Sequence, residues 1–164
     1  MRFTVRASGA PERESGDPAA VALENALAKA RAGALGGAGE VVIGCDTVVA
    51  LDGAIYGKPP DEQAARRTLA ALAGRTHEVL SGLAILDGDR ELTALERTRV
   101  SFRELPQRMI SWYVATGEWQ GRAGGYAIQG AGAALVRAVE GDYENVVGLP
   151  LARLLDLYPA LLGT

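Results

Sequence analysis

The sequence predicts a single α/β domain in which helices flank a mixed, twisted sheet, and three observations point there. Stretches of helical spacing and of strand-like alternation intermix along the whole chain. Its 164 residues suffice for one domain with a sizeable core and are too few for two comfortable ones. No internal repeat, low-complexity tract or flexible linker divides it.

The elements follow in order. Residues 6–17 are polar and turn-prone, with Gly9, Pro11, Gly16 and Asp17. Asp17-Pro18 reads as a helix cap followed by a first-turn proline. Leu23, Leu27, Ala30 and Ala34 then recur at helical spacing to about residue 35, where Gly33, Gly36, Gly37 and Gly39 end the helix. Residues 41–45 read as a buried strand with Asp46 at its end, and residues 48–51 continue it. Asp52-Gly53 is a hairpin signal, which makes 54–56 the return strand. A second helix spans about 61–73, with Asp61 and Glu62 at the positive end of its dipole and Gly74 as its stop. Alternation over 77–86, the Asp87-Gly88 turn and a return strand near 91–103 form a second hairpin. Pro106 opens a helix carrying Met109, Ile110, Trp112 and Tyr113. Beyond the glycine-rich loop 121–125, strands are expected near 126–128 and 133–139, and 146–155 reads as a loop entering a C-terminal helix.

Composition excludes several classes. A hydrophobic content of 48% with 23% charged residues is that of an ordinary globular protein. The net charge of −3 gives no general attraction to nucleic acid, so phosphate binding must come from a local cluster of bases. One cysteine, Cys45, excludes an internal disulfide and fits a reducing compartment. No uninterrupted apolar run reaches the roughly 18 residues a membrane span needs. With no apolar leader at the start, a cytoplasmic location is expected.

Six short runs carry the chemistry. Gly44-Cys45-Asp46-Thr47-Val48-Val49 precedes Leu51-Asp52-Gly53 and Gly57-Lys58-Pro59, which puts an acid on an apolar run and a lysine one loop away. The others are Gly74-Arg75-Thr76-His77, Gly124-Gly125-Tyr126-Ala127-Ile128-Gln129-Gly130 and Val146-Val147-Gly148-Leu149-Pro150. Asp46 reads either as a turn aspartate accepting backbone hydrogen bonds or as a carboxylate that holds a hard cation and takes a proton from water. Lys58 sits in a rigid, small-flanked loop and offers a compact positive charge to phosphate, although no Walker-type run surrounds it. Lys29 reads as a polar-face helix residue, and Gln129 as an uncharged amide able to donate and accept. Cys45 reads as a packed thiol. The aromatics Trp112, Tyr113 and Trp119 read as packing groups rather than a base-stacking platform.

Together these runs resemble the Maf family of nucleoside triphosphate pyrophosphatases over nearly the whole chain. The resemblance implies a Maf/ITPase-like fold and hydrolysis of a nucleoside triphosphate to the monophosphate and pyrophosphate. It assigns catalysis to Asp46, Lys58, Gln129 and Lys29, with Mg²⁺ or Mn²⁺ held by Asp46 and Glu12. Glu14 competes with Glu12 for that second place, and a solvated loop glutamate is the other reading. Thr47, Arg75, His77 and Arg122 are the implied substrate contacts. Thr47 with Gln129 marks the branch acting on dTTP and UTP, and a homodimer is also implied. Members of the family open with an apolar strand and a Ser-x-Ser-Pro-Arg-Arg motif that has no match here. The start, Met1-Arg2-Phe3-Thr4-Val5, resembles instead their second strand. The domain over residues 1–164 is thus expected to be N-terminally incomplete, through a late gene start, a truncation or a natural short form. The alternative function is a catalytically impaired or inactive nucleotide-binding, regulatory protein.

Overall fold

The structure, a computed structural model, describes residues 3–34 and 39–163. A five-stranded sheet forms its centre, in the order β2-β1-β3-β4-β5. The strands are β1 (Val41–Leu51), β2 (Ala54–Tyr56), β3 (Thr76–Asp87), β4 (Arg90–Phe102) and β5 (Val136–Glu140). The helices are α1 (Pro18–Gly33), α2 (Glu62–Leu72), α3 (Gln107–Ala115), α4 (Tyr143–Val147) and α5 (Leu151–Leu157). The α/β class with flanking helices is as expected. Every pairing among the described strands is antiparallel, however, where a mixed sheet was anticipated. Two hairpins account for most of the ladder, and the connection through α2 brings β3 back against β1 in the reverse direction.

Because side chains alternate along a strand, the sheet has two distinct faces. One carries Val49, Val79, Val100 and Phe102 and packs with Leu69 and Leu72 of α2 and Ile110, Tyr113 and Val114 of α3 into the main core. Leu154 of α5 packs beside Leu83, Ile85 and Ala94. The opposite face is covered by α1, through Val21 and Ala22 against Val48, Ala50 and Leu80, and through Ala26 and Ala30 against Ala84.

The seating of α1 decides what reaches the sheet edge. Asp17 caps the helix by accepting a hydrogen bond from the Ala20 amide, and Pro18 occupies the first turn, as the sequence indicates. Its alanine face lies directly on two strand glycines. A Cβ built at Gly44 would stand 2.2 Å from the Ala26 carbonyl oxygen, and one at Gly82 would stand 2.2 Å from that of Ala22. No other residue type permits so close a backbone approach.

Four local expectations need correction. Asp46 does not end a strand: β1 runs unbroken from Val41 to Leu51, because its ladder with β3 is continuous. Residues 126–128 form no strand, since Tyr113 and a 3₁₀ turn at Ala131–Leu135 take up this stretch and its neighbours. The segment before the C-terminal helix holds an additional short helix, α4, capped by Asp142. Phe3–Val5 joins no described strand and leaves Phe3 and Val5 77% and 84% exposed, because no ladder lies beside them. Met1 and Arg2, and the glycines Gly36 and Gly37 expected to end α1, lie outside the described residues.

Candidate functional site

β1 is paired on one side by β3 along most of its length, but β2 covers its other side only over residues 49–51. The stretch before Val49 is therefore a free edge among the described strands. A cleft of about 220 Å³ wraps this edge. Lys29 and Asp46 line it from the α1 face, and Cys45, Thr47, Val49 and Val79 from the other face. Lys58, the 121–123 loop with Arg122, Tyr126, Ala127, Gln129 and the end of α4 with its cap Gly148 supply the rest of the wall.

The charged end is tightly organised. Asp46 is only 7% exposed, and its two carboxylate oxygens have separate partners. The Lys29 ammonium donates to Oδ1 at 2.5 Å, and the Asn25 amide donates to Oδ2 at 3.0 Å. Asn25 and Lys29 stand four residues apart on α1, so both project from one helix face. Lys29 also pairs with Glu12 at 2.8 Å, and the second oxygen of Glu12 pairs with Lys58 at 3.0 Å. The result is a chain of alternating charge, Asp46–Lys29–Glu12–Lys58. The Lys29 hydrogen bond, opposed by partial desolvation and helped by Lys58, holds the Glu12 carboxyl below its ordinary pKa. Burial works against the Lys29 ammonium, but its bonds to Asp46 and Glu12 outweigh that and raise its pKa. Glu12 does not line the cleft itself and is joined to Asp46 through Lys29, and Glu14 makes no corresponding ion pair among those found in the described residues.

The other wall is a loop held by side chains behind it. The Tyr113 hydroxyl accepts from the Ala127 amide at 3.0 Å, and Glu118 accepts from the amides of Ala131 and Gly132. The Gly124 amide donates to the Gly57 carbonyl at 3.2 Å, tying the loop of Arg122 to that of Lys58. Gly124 has φ 68° and packs on Val49, where a Cβ would lie 2.9 Å from a methyl carbon. The left-handed conformation and the close approach both call for glycine. Gln129 and Arg122 stay exposed at the mouth.

Cys45 and Thr47 set the floor. The Cys45 thiol donates to the Gly148 carbonyl at 3.2 Å, and the Thr47 hydroxyl shares a 2.7 Å hydrogen bond with Ser81 directly across the ladder. Burial, with the nearby Asp46 charge, pushes the Cys45 thiol up to about 11. A thiol so protonated is no nucleophile at neutral pH, although it lies half-buried on the cleft wall rather than deep in the core.

Two expected substrate contacts are elsewhere. The lining of the cleft, among the described residues, does not include Arg75 or His77. Arg75 makes an exposed 2.5 Å ion pair with Asp52 in the turn between β1 and β2. His77 is 1% exposed and shares a 2.9 Å hydrogen bond with the Tyr126 hydroxyl. Its ring meets Phe102 and Tyr126 edge-on. Adjacency in one run does not place neighbours together: Arg75 lies in the bend before β3, whereas His77 lies within the strand and turns into the core. Asn25 escaped the sequence reading altogether, for a polar residue at a buried helical position has no motif to mark it.

Asp46 and Glu12 are hard oxygen donors gathered around one ammonium. No group of three or more His, Cys, Asp or Glu suited to a metal occurs among the described residues. Two carboxylates so placed suit a magnesium-type ion, which is commonly bound by one or two carboxylates plus substrate oxygens. Each carboxylate retains lone pairs beyond those used by its present partners.

Comparison with known proteins adds a consistent result. The chain is 48% identical over 141 residues to a protein of Pyrococcus furiosus named dTTP/UTP pyrophosphatase, covering 86% of this chain and 74% of that protein. A Symbiobacterium thermophilum protein of the same name is 46% identical over 151 residues, 89% of this chain and 78% of its own length. One from Pelotomaculum thermopropionicum, also so named, is 43% identical over 161 residues, 96% of this chain and 84% of its own. The sequence model of the Maf-like proteins matches residues 1–161, and with it the chain belongs to the Maf family.

Proposed function

We propose that this protein hydrolyses dTTP or UTP between the α and β phosphates, releasing the nucleoside monophosphate and pyrophosphate. The observation that carries the reading is that Asp46, Lys29 and Lys58 line one end of a cleft whose other wall bears Arg122 and Gln129, with Glu12 bridging the two lysines. The names of the relatives supply the substrates and the bond.

In this reading Lys58 and Arg122 bind phosphate oxygens, and Lys29 neutralises charge that grows on them in the transition state. Glu12 now neutralises both lysines, so an arriving triphosphate takes over part of its role as their counter-ion. Asp46 orients the attacking water and accepts its proton, with its carboxylate plane set by Lys29 and Asn25. Gln129 places the substrate through its amide, and Thr47 does so through its hydroxyl. Asp46 and Glu12 would hold Mg²⁺ or Mn²⁺, which when bound polarises a phosphate and offsets its charge. Arg75 and His77 support the fold around the site and do not touch substrate. Residues 1–164 belong to one Maf-like domain, which works as a homodimer and resides in the cytoplasm. No helix among the described residues is long and apolar enough to cross a membrane.

A pyrophosphate-release assay with dTTP, UTP, ATP and GTP, with and without EDTA, tests the reading. Turnover of dTTP and UTP well above the purines, abolished by the chelator and restored by Mg²⁺ or Mn²⁺, is expected. Tight nucleotide binding without pyrophosphate release would establish the regulatory alternative instead. Light scattering tests the dimer through a mass double the 17.1 kDa chain.

A further inference from the structure

We infer that Asn25 is a positioning residue that locks the Glu12 loop to Asp46, and so fixes the spacing of the two carboxylates. The inference rests on the function proposed above and adds to it a residue from the helix interior.

Asn25 lies on the buried face of α1 among Val21, Ala22, Ala26 and Ala30, and is itself 4% exposed. A residue needed only for packing at such a place would be apolar, because burying an amide without partners costs about 1–3 kcal/mol. Here every polar atom of the amide is used. Its Oδ1 accepts from the Arg13 amide at 2.8 Å, and its Nδ2 donates to the Arg13 carbonyl at 3.0 Å. The same nitrogen donates its other hydrogen to Asp46 Oδ2 at 3.0 Å. The side chain thus grips the backbone of Arg13 as a neighbouring strand would, and reaches the carboxylate with what is left.

The consequence is geometric. Residues 3–14 form no helix or strand, so nothing regular holds Glu12 in place. The next residue, Arg13, is the one clamped by Asn25. Lys29 grips Glu12 and Asp46 from the following turn of α1. Two side chains of one helix face therefore tie Asp46 to adjacent residues of one loop, Lys29 through the charge of Glu12 and Asn25 through directed hydrogen bonds to the Arg13 backbone. Lysine supplies attraction but little direction, whereas the amide fixes orientation.

Two near-isosteric variants separate the parts of this role. Asn25→Leu removes both the clamp and the donor to Asp46. Asn25→Asp keeps an acceptor for the Arg13 amide but loses the N–H donors and sets a second carboxylate against Asp46. In the wild type the Arg13 amide should exchange with solvent more slowly than those of Glu12 and Glu14. In Asn25→Leu it should exchange roughly tenfold faster. For both variants kcat with dTTP should fall by roughly 10–100-fold, the usual scale for groups that orient ligating side chains. KM should stay within about threefold, since Lys58, Arg122 and Gln129 are untouched.

An Arg13 amide unprotected in the wild type overturns the inference, whether or not any variant folds. So does a folded Asn25→Asp or Asn25→Leu protein that keeps wild-type kcat, or one whose loss falls on KM alone. If the wild type shows no turnover, the proposed function fails, while the exchange measurement still decides whether Asn25 holds the loop.

Discussion

Asp46 has one oxygen on a lysine and the other on an asparagine, and it is more buried than any other carboxylate of the ion-pair chain. Such a group is oriented before substrate arrives, which is what general-base chemistry requires. Asp46→Asn keeps the shape and removes both the charge and the basicity. Turnover of dTTP should fall by roughly 100-fold or more with the melting transition retained, and wild-type rates in a folded variant would remove Asp46 from the mechanism. At this scale the sequence was informative where a residue belongs to a distinctive run. Asp46, Lys58 and Gln129 all line the cleft. It did not separate residues where a run passes from a turn into a strand: Arg75 and His77 share a run yet part company, one into a surface ion pair and the other into the core. It was silent on Asn25, whose meaning depends on Arg13 and Asp46 arriving from other parts of the chain.

Among the elements, α1 matters most, because it carries both Asn25 and Lys29. Its position is set by Gly44 and Gly82, where no side chain fits between strand and helix. Gly44→Ala would drive a methyl group into the Ala26 carbonyl and the Ala30 amide, which are backbone atoms that cannot swing aside. Overpacking of this kind costs about 3 kcal/mol, or a Tm lowered by on the order of 10 °C in a domain of this size. Activity should fall as well, since moving α1 off β1 draws Lys29 and Asn25 away from Asp46. An unchanged Tm by calorimetry with full activity would show that the helix does not sit so close. Both hairpins and the three long helices were legible, because periodicity and turn chemistry agree along them. Residues 126–128 were not. Their apolar character reflects burial in a loop braced by Tyr113 and His77, and burial looks alike in sequence whether the backbone is strand or loop. The five-residue α4 is too short to show a period at all.

For the molecule as a whole, the single histidine links stability to pH from the core behind the cleft wall. Burial in the core pushes the His77 imidazole down to about 4, against about 6.5 when the chain is unfolded. Its Nδ1 has no partner in the structure, while Nε2 meets Tyr126, so the neutral ring suits the site and a charged one does not. Between these two values the unfolded chain binds more protons than the folded one, and folding stability therefore rises with pH. The contribution is complete above about pH 6.5 and is lost as pH falls toward 4, where it has cost on the order of 3 kcal/mol. His77→Phe retains a ring among Phe102 and Tyr126 but removes this titration. Urea unfolding from pH 7.5 to 4.5 should then show a shallower loss of stability in the variant, with Glu12 and the other carboxylates providing what slope remains. An equal slope in both proteins would mean that the imidazole takes up its proton as readily in the folded state as in the unfolded one. In that case the aromatic cluster behind Tyr126 would have to admit water, and the wall that carries Gln129 would not be the rigid one described.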